Sequence, residues 1–162
     1  MLSLGIDPGT ATIGYGLVSE LNDGSLQAIA YGVITTSPKD PMWRRLHIIH
    51  DTLKDIIEKF KPDRIAIEEL FFAKNITTAL TVAQGRGVIL LTAAQANLTI
   101  AEYKPNEVKQ SITGYGAAKK PQIQEMVRLL LGLDDIPKPD DAADALAIAI
   151  TDIHQSRYTL LE

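Results

Sequence analysis

Four acidic side chains occupy positions from which they could do chemistry together. Asp7 ends an alternating segment, residues 2–7, and Glu68 follows a short apolar run. Asp141 and Asp144 stand three residues apart near the start of an alanine-rich segment, a spacing that places both on one face of a helix. Magnesium prefers oxygen ligands, and two such ions can clamp the attacking and leaving oxygens of a phosphoryl displacement. The acids therefore predict a hard-metal site for phosphoryl transfer.

Each acid also has a purely structural interpretation. Asp7 could serve only to open the turn at residues 8–9 by bonding its own backbone. Acids in the first turn of a helix interact favourably with the helix dipole, and one of them could be the N-cap. Capping accounts for one or two of Asp140, Asp141 and Asp144, but not for all three. Asp140 with Asp144 is an alternative ligand pair.

Three strands are expected to position the first of these acids. Residues 2–7 alternate between apolar and small or polar side chains, residues 11–20 form a second strand, and residues 25–36 form a third beyond a hairpin turn. Gly14 and Gly16 leave one face of the second strand bare, as close approach by a ligand or a neighbouring element requires. The strands predict an antiparallel meander.

The next element is predicted to be a helix. Asp40 is a good N-cap, Pro41 suits the first helical position, and residues 61–62 end the helical pattern. His47 and His50 lie three apart, a spacing that can serve a metal. No third ligand is evident nearby, so both are interpreted as flanking residues.

The second half of the chain supplies the other acids. Residues 64–69 are typical of a buried parallel strand, and its carboxyl end would place Glu68 near Asp7 if the two strands are parallel neighbours. Gly85 and Gly87 suggest tight packing of a long apolar helix, whose wide surface could serve both the core and a second copy of the protein. The remaining elements are expected as helices 75–97, 105–112, 121–132 and from 140, a strand 98–103, and a mobile basic loop 114–120.

The length of 162 residues indicates one domain with its own core, expected over residues 1–156 with a flexible tail at 157–162. The fold class is α/β, a five-stranded mixed sheet flanked by helices. The chain contains no cysteine, which excludes disulfides and zinc-thiolate sites. No signal peptide or membrane span is evident, and the cytoplasm is the expected compartment.

The formal net charge of −4 argues against a nucleic-acid partner, because domains that bind nucleic acid are usually basic. Two divalent cations at the four acids would cancel that charge. The remaining field would then be set by basic side chains that could bind backbone phosphates. These are Lys74, Arg86, Lys104, Lys109, Lys119 and Lys120.

Several short motifs, in the right order from Leu2 to about Thr151, resemble those of the RuvC-type Holliday junction resolvases. They are Gly5-Ile6-Asp7-Pro8-Gly9, Ala66-Ile67-Glu68, Phe71, Ala73-Lys74-Asn75, Gln84-Gly85-Arg86-Gly87, Val108-Lys109-Gln110 and Asp141-Ala142-Ala143-Asp144-Ala145-Leu146-Ala147. The resemblance implies a ribonuclease-H-like fold, a homodimer, a branch-migration helicase as partner, and magnesium-dependent nicking of two symmetry-related strands of a four-way DNA junction in recombination and repair.

The resemblance also implies roles for individual residues. It places the metal ligands at Asp7, Glu68, Asp141 and Asp144, holding two magnesium ions, with manganese as a possible substitute. It gives Phe71, Lys109 and Lys120 roles in DNA contact or catalytic support, and Lys119 adds a second positive charge beside Lys120. Phe71 could stack on an exposed base or belong to the core. The expected products carry a 5′-phosphate and a 3′-hydroxyl.

Three other functions fit parts of the sequence. The segment 7–10 also resembles the first phosphate loop of actin-like and sugar-kinase ATPases, but those enzymes need a second similar domain, for which 162 residues leave no room. An RNA-processing nuclease of the same fold is closer. A non-catalytic junction-binding module is the third, if the acids only cap and solvate.

Overall fold

Five strands and five helices make up the part of the chain that the structure, a computed structural model, describes, residues 1–70 and 76–159. In chain order they are β1 (Leu2–Asp7), β2 (Thr12–Glu20), β3 (Leu26–Thr35), α1 (Met42–Phe60), β4 (Arg64–Glu68), α2 (Ile76–Gln95), β5 (Thr99–Tyr103), α3 (Pro105–Thr113), α4 (Lys120–Leu130) and α5 (Asp140–Thr159). The sheet order is β3-β2-β1-β4-β5. The first three strands pair antiparallel, and β1, β4 and β5 pair parallel. The predicted mixed sheet is confirmed.

The two faces of the sheet are packed differently. On one face, large aliphatic side chains such as Leu4 and Ile6 of β1 form a core with α1 and α2. On the other face β1 presents Ser3, Gly5 and Asp7, and a second core is built with α3, α4 and α5. Because successive side chains of a strand point to opposite faces, the alternation in β1 separates the main aliphatic core from the acid.

Glycines allow α5 to lie directly on the sheet. A Cβ at Gly5 would stand 2.0 Å from the Ala145 carbonyl oxygen, and one at Gly14 would stand 1.9 Å from the Asp141 carbonyl oxygen. Gly16 is similarly close to α5. The close approach predicted from the two β2 glycines is confirmed, and the approaching element is the helix that carries two of the acids.

Two sequence predictions about α1 and α2 need correction. Helix α1 begins at Met42, with Pro41 rather than Asp40 at the N-cap. The Pro41 carbonyl accepts from the Arg44 amide at 3.0 Å, as the carbonyl of an N-cap residue does. In α2 only Gly85 is tightly packed, because Gly87 has open space around it.

The carboxyl end of the chain also differs from expectation. Helix α5 continues to Thr159, so the expected tail does not start at residue 157. Arg157 is held there, because its Nε donates to Glu20 Oε1 at 2.7 Å and its Nη2 donates to the Gly24 carbonyl at 2.7 Å.

Helix α2 is long and apolar enough, by length and composition alone, to cross a membrane. Its inward side is part of the core, where Ile89 is fully buried. Its outward side carries Ile76, Leu80 and Leu91, which are 73%, 59% and 56% exposed. The helix therefore packs on the sheet by one face and presents a second apolar face outward.

Candidate active site

The carboxyl ends of two neighbouring parallel strands bring the first two acids together. Ile6 pairs with Ile67 in the β1–β4 register, so the next residues, Asp7 and Glu68, end adjacent strands. Ligand sites in open α/β sheets lie at such ends. Both side chains line a cavity of about 220 Å³ together with Lys109, Lys120 and Asp144 and with Pro105, Val108, Ile123, Ala147 and Ile148.

Helix α5 brings Asp144 to this cavity, and the charge of Asp141 acts on Asp7. The helix begins at Asp140, and the Pro139 carbonyl accepts from the Ala142 amide at 3.0 Å, so the acids lie within the helix rather than at its N-cap. Gly14 faces Asp7 across the β1–β2 pair and contacts the backbone of Asp141. The missing side chain at Gly14 therefore allows Asp141 to approach Asp7.

The structure distinguishes between the two alternative helix pairs. Asp140 is about half exposed and lies 3.6 Å from both Lys120 Nζ and Lys138 Nζ. Asp141 and Asp144 are among the charges that act on Asp7, whereas Asp140 is not. Asp141 and Asp144 therefore remain the predicted ligand pair of α5, because the charges of both act on Asp7.

Burial, together with repulsion between the acids, raises the pKa of Asp7, Glu68 and Asp144. Burial, and then the charges of Asp144, Glu68 and Asp141, raise the pKa of Asp7 from 3.8 to about 8. Burial and the charge of Asp144 raise the pKa of Glu68, and burial also raises the pKa of Asp144. Carboxylates that favour the neutral form at such positions are typical of functional sites.

Two lysines offset part of this negative charge. Lys120 Nζ donates to Asp144 Oδ2 at 3.0 Å. Burial alone would lower the pKa of Lys120, but the hydrogen bond to Asp144 and the charges of Asp144 and Asp140 raise it. Lys109 lines the same cavity, and its positive charge lowers the pKa of Glu68, whereas burial raises it. Both lysines lie where a phosphate next to the acids would meet them.

The donor set fits a hard divalent cation, because it consists of carboxylate oxygens gathered around one solvent-reaching cavity. Among the described residues, no three acidic or histidine side chains are grouped closely enough to ligate one ion as they stand. Lys120 is hydrogen-bonded to one of the acids. Cation binding by the predicted ligands Asp7, Glu68, Asp141 and Asp144 would therefore require their side chains to move.

The other predicted DNA-contact residues are distributed unevenly. Lys119 is exposed at the N-cap of α4, next to Lys120. Arg86 is not a free cation, because its side chain is only 16% exposed and pairs with Glu102. The phosphate contact expected of Arg86 stays a prediction. Phe71 and Lys74 lie outside the described residues. The two histidines of α1 have neighbours of their own, Asp51 and Thr92, and neither is a ligand at the acid site.

Sequence reasoning missed one set of polar residues entirely. Asp152 of α5 is fully buried and accepts hydrogen bonds from Arg64, Tyr103 and Ser3. These residues come from three strands and a helix, and no spacing in the sequence connects them. The only available signal was an acid in an otherwise apolar stretch of α5.

The sheet order and the carboxylate cavity define a ribonuclease-H-like domain of the nuclease type. The chain belongs to the RuvC family: the family described as "Crossover junction endodeoxyribonuclease RuvC" matches residues 3–152.

Known proteins similar to this chain come from several bacteria. The crossover junction endodeoxyribonuclease RuvC of Heliobacterium modesticaldum is 55% identical over 154 residues, which cover 95% of this chain and 94% of that protein. The structure of Thermus thermophilus RuvC matches with a TM-score of 0.92 at 35% identity, covering 98% of this chain and 97% of the other. A structure of Thermus thermophilus RuvC in complex with Holliday junction substrate matches with a TM-score of 0.90 at 33% identity, covering 98% and 96%.

Proposed function

We propose that this protein is a metal-dependent endonuclease that resolves four-way DNA junctions by two symmetric nicks. The observation that carries the proposal is the gathering of Asp7, Glu68 and Asp144 around one cavity with Lys109 and Lys120. Family membership supports the nuclease activity, and the similar structure that holds a Holliday junction substrate supports the choice of DNA.

Magnesium is the proposed cofactor, two ions per site, with manganese able to substitute. The ligands would be Asp7, Glu68, Asp141 and Asp144, whose mutual repulsion a divalent cation would relieve. When bound, such ions supply water activation and stabilise negative charge on the attacking and leaving oxygens. The resulting ends would carry a 5′-phosphate and a 3′-hydroxyl.

The side chains of the site have separable tasks in this reaction. Asp7 interacts with the charges of Glu68, Asp141 and Asp144, so it would be a central member of the ligand set. Lys120, which donates to Asp144 in the DNA-free protein, would turn to the scissile phosphate and stabilise its charge. Lys109 would contact the same phosphate or its neighbour from α3.

The wider DNA surface is proposed to continue from the cavity. Lys104, Asn106 and Lys109 line an adjoining shallow depression at the start of α3, and Lys119 is exposed beside Lys120. Basic side chains of this kind bind backbone phosphates. Phe71 and Lys74, which follow β4 in the sequence, remain proposed DNA contacts.

A homodimer would supply the two active sites that paired nicks require. The exposed stripe on α2 recurs at helical spacing and contains only apolar or small residues. Its members are Ile76, Leu80, Ala83, Gly87, Leu91 and Ala94. We therefore place the contact with the second copy on α2, and we expect a branch-migration helicase as partner and the cytoplasm as compartment.

A cleavage assay on a synthetic four-way junction tests the proposed function. We expect magnesium-dependent paired nicks whose products are joined directly by DNA ligase. A structured RNA of equal length, supplied in parallel, distinguishes an RNA-processing nuclease of the same fold. Junction binding without nicking at any magnesium or manganese concentration would leave only the binding-module alternative.

A further inference from the structure

We propose that Arg86 is a positioning residue that holds the backbone of Glu68, and that Glu102 fixes Arg86 in this place. The inference rests on the proposed function in one respect, since it takes Glu68 to be a metal ligand. It assigns to α2 a task besides the contact with a second copy.

The contacts of Arg86 connect three elements. From α2, its Nε donates to the carbonyl oxygen of Glu68 at 3.3 Å, and its Nη2 pairs with Glu102 Oε2. Glu102 lies opposite Ile67 in the β4–β5 register. One guanidinium therefore joins α2 to the last residue of β4 and to the neighbouring strand β5.

The side chain and the backbone of Glu68 therefore have different surroundings. Its side chain lines the acid cavity, on the face covered by α5, whereas Arg86 reaches its backbone from the face covered by α2. The planar fork of arginine can bind a carbonyl and a carboxylate at once, which a lysine ammonium does with less directional preference. Arg86 thus restrains the end of β4 without entering the cavity.

The residue before Arg86 makes a matching contact behind Asp7. A Cβ at Gly85 would stand 2.6 Å from the carbonyl oxygen of Gly9, in the turn that follows β1. One turn of α2 therefore lies against the ends of both strands that carry acids. Residues that orient ligands in this way typically change metal affinity about 10- to 100-fold when they are removed.

A phosphate-binding role and a positioning role for Arg86 predict different effects on the salt dependence of junction binding and on the affinity for metal. Its charge is matched by Glu102, and its side chain is mostly buried. If Arg86 bound a phosphate, its loss would lower the salt dependence of junction binding by about one unit of slope. If it positions Glu68, the slope stays unchanged and the affinity for metal falls.

The test compares R86M, R86K and E102Q with the wild type and with K54M, a matched control that breaks an exposed pair on α1. Calorimetric titration of the DNA-free dimer with Mn²⁺ is expected to show about tenfold weaker binding for R86M. R86K should recover part of that loss, and E102Q should lose less than R86M. K54M should match the wild type, and metal-free junction binding should keep its salt slope in all variants.

Two results would overturn the positioning role: unchanged Mn²⁺ affinity in folded R86M, or a reduced salt slope. If circular dichroism shows R86M unfolded, E102Q decides, because a folded E102Q with wild-type Mn²⁺ affinity contradicts the proposal. A wild-type protein that binds no Mn²⁺ would instead overturn the proposed function itself.

Discussion

Strand β1 and helix α5 meet at two carboxylate sites, and the two are built in opposite ways. At one end, fully buried Asp152 accepts hydrogen bonds from Arg64 Nε at 2.9 Å, Arg64 Nη2 at 2.8 Å, Tyr103 Oη at 2.9 Å and Ser3 Oγ at 2.7 Å. Both of its oxygens have partners from the protein. A buried charge that is paired in this way is structural.

At the other end, Asp7 interacts with three further acids and with one lysine. The charges of Asp144, Glu68 and Asp141 raise the pKa of Asp7, and among the described residues Lys120 acts on it with the opposite sign. The comparison teaches that burial alone does not mark the functional acid. The acids proposed as functional are those whose charge the protein compensates only in part, so that a cation from solution would complete the proposed site.

The largest effect is expected from Asp7→Asn. Cleavage of a four-way junction should fall by about 10⁴-fold, equivalent to about 5 kcal/mol in the barrier, because the amide is a poor ligand for magnesium. Metal-free junction binding should stay within about twofold, since the phosphate-binding lysines are untouched. Asp140→Asn is the matched control and should cleave at nearly the wild-type rate.

Asp152→Asn should destabilise the protein by weakening the contacts that Asp152 makes with Arg64. Leaving Arg64 without its carboxylate is expected to cost about 3–5 kcal/mol in the free energy of unfolding, measured with urea. Tyr103→Phe removes a single hydrogen bond and should cost about 1 kcal/mol. The folded fraction of either variant should keep the magnesium requirement of the wild type. A stability loss below 1 kcal/mol for Asp152→Asn would contradict this assignment.

Gly14→Ala tests how closely α5 must lie on the sheet near Asp7. The added Cβ meets the backbone of Asp141, so we expect a loss of about 2–3 kcal/mol in stability together with weaker metal binding. Gly116→Ala is the control, because its Cβ would make only ordinary contacts. Equal behaviour of the two variants in urea unfolding would show that the close approach is unimportant.

The smallest effect concerns pH. The pKa of Asp7 is raised from 3.8 to about 8, so between these values the native state binds more protons than the unfolded state. The metal-free protein should therefore become steadily less stable as pH rises from 5 to 8. Asp7→Asn or added magnesium should reduce that slope, and an identical slope in Asp7→Asn would count against the uncompensated charge.

Much of this arrangement could be predicted from the sequence, for local reasons. The alternation in residues 2–7 and the buried run before Glu68 identify two strands, and parallel neighbours necessarily bring their carboxyl ends together. The spacing of Asp141 and Asp144 fixes their common face. These predictions depend on periodicity within single elements, so they can be made without knowing how the elements pack.

What the sequence could not predict depends on contacts between distant elements. Asp152 and its partners are brought together only by the register of the strands and by the position of α5 on the sheet. The positive charge of Arg86 predicted a DNA contact, and its pairing with Glu102 is visible only in the structure. Gly87 differs from Gly85 only in which side of α2 it occupies.

The most direct test of the acid cluster around Asp7 is Mn²⁺ binding to the DNA-free protein. Binding is measured as the loss of the electron paramagnetic resonance signal of the free ion. The wild type should take up manganese, Asp7→Asn should lose most of that uptake, and Tyr103→Phe should retain it. Equal manganese uptake by the wild type and Asp7→Asn would contradict the claim that the acids around Asp7 form the metal site.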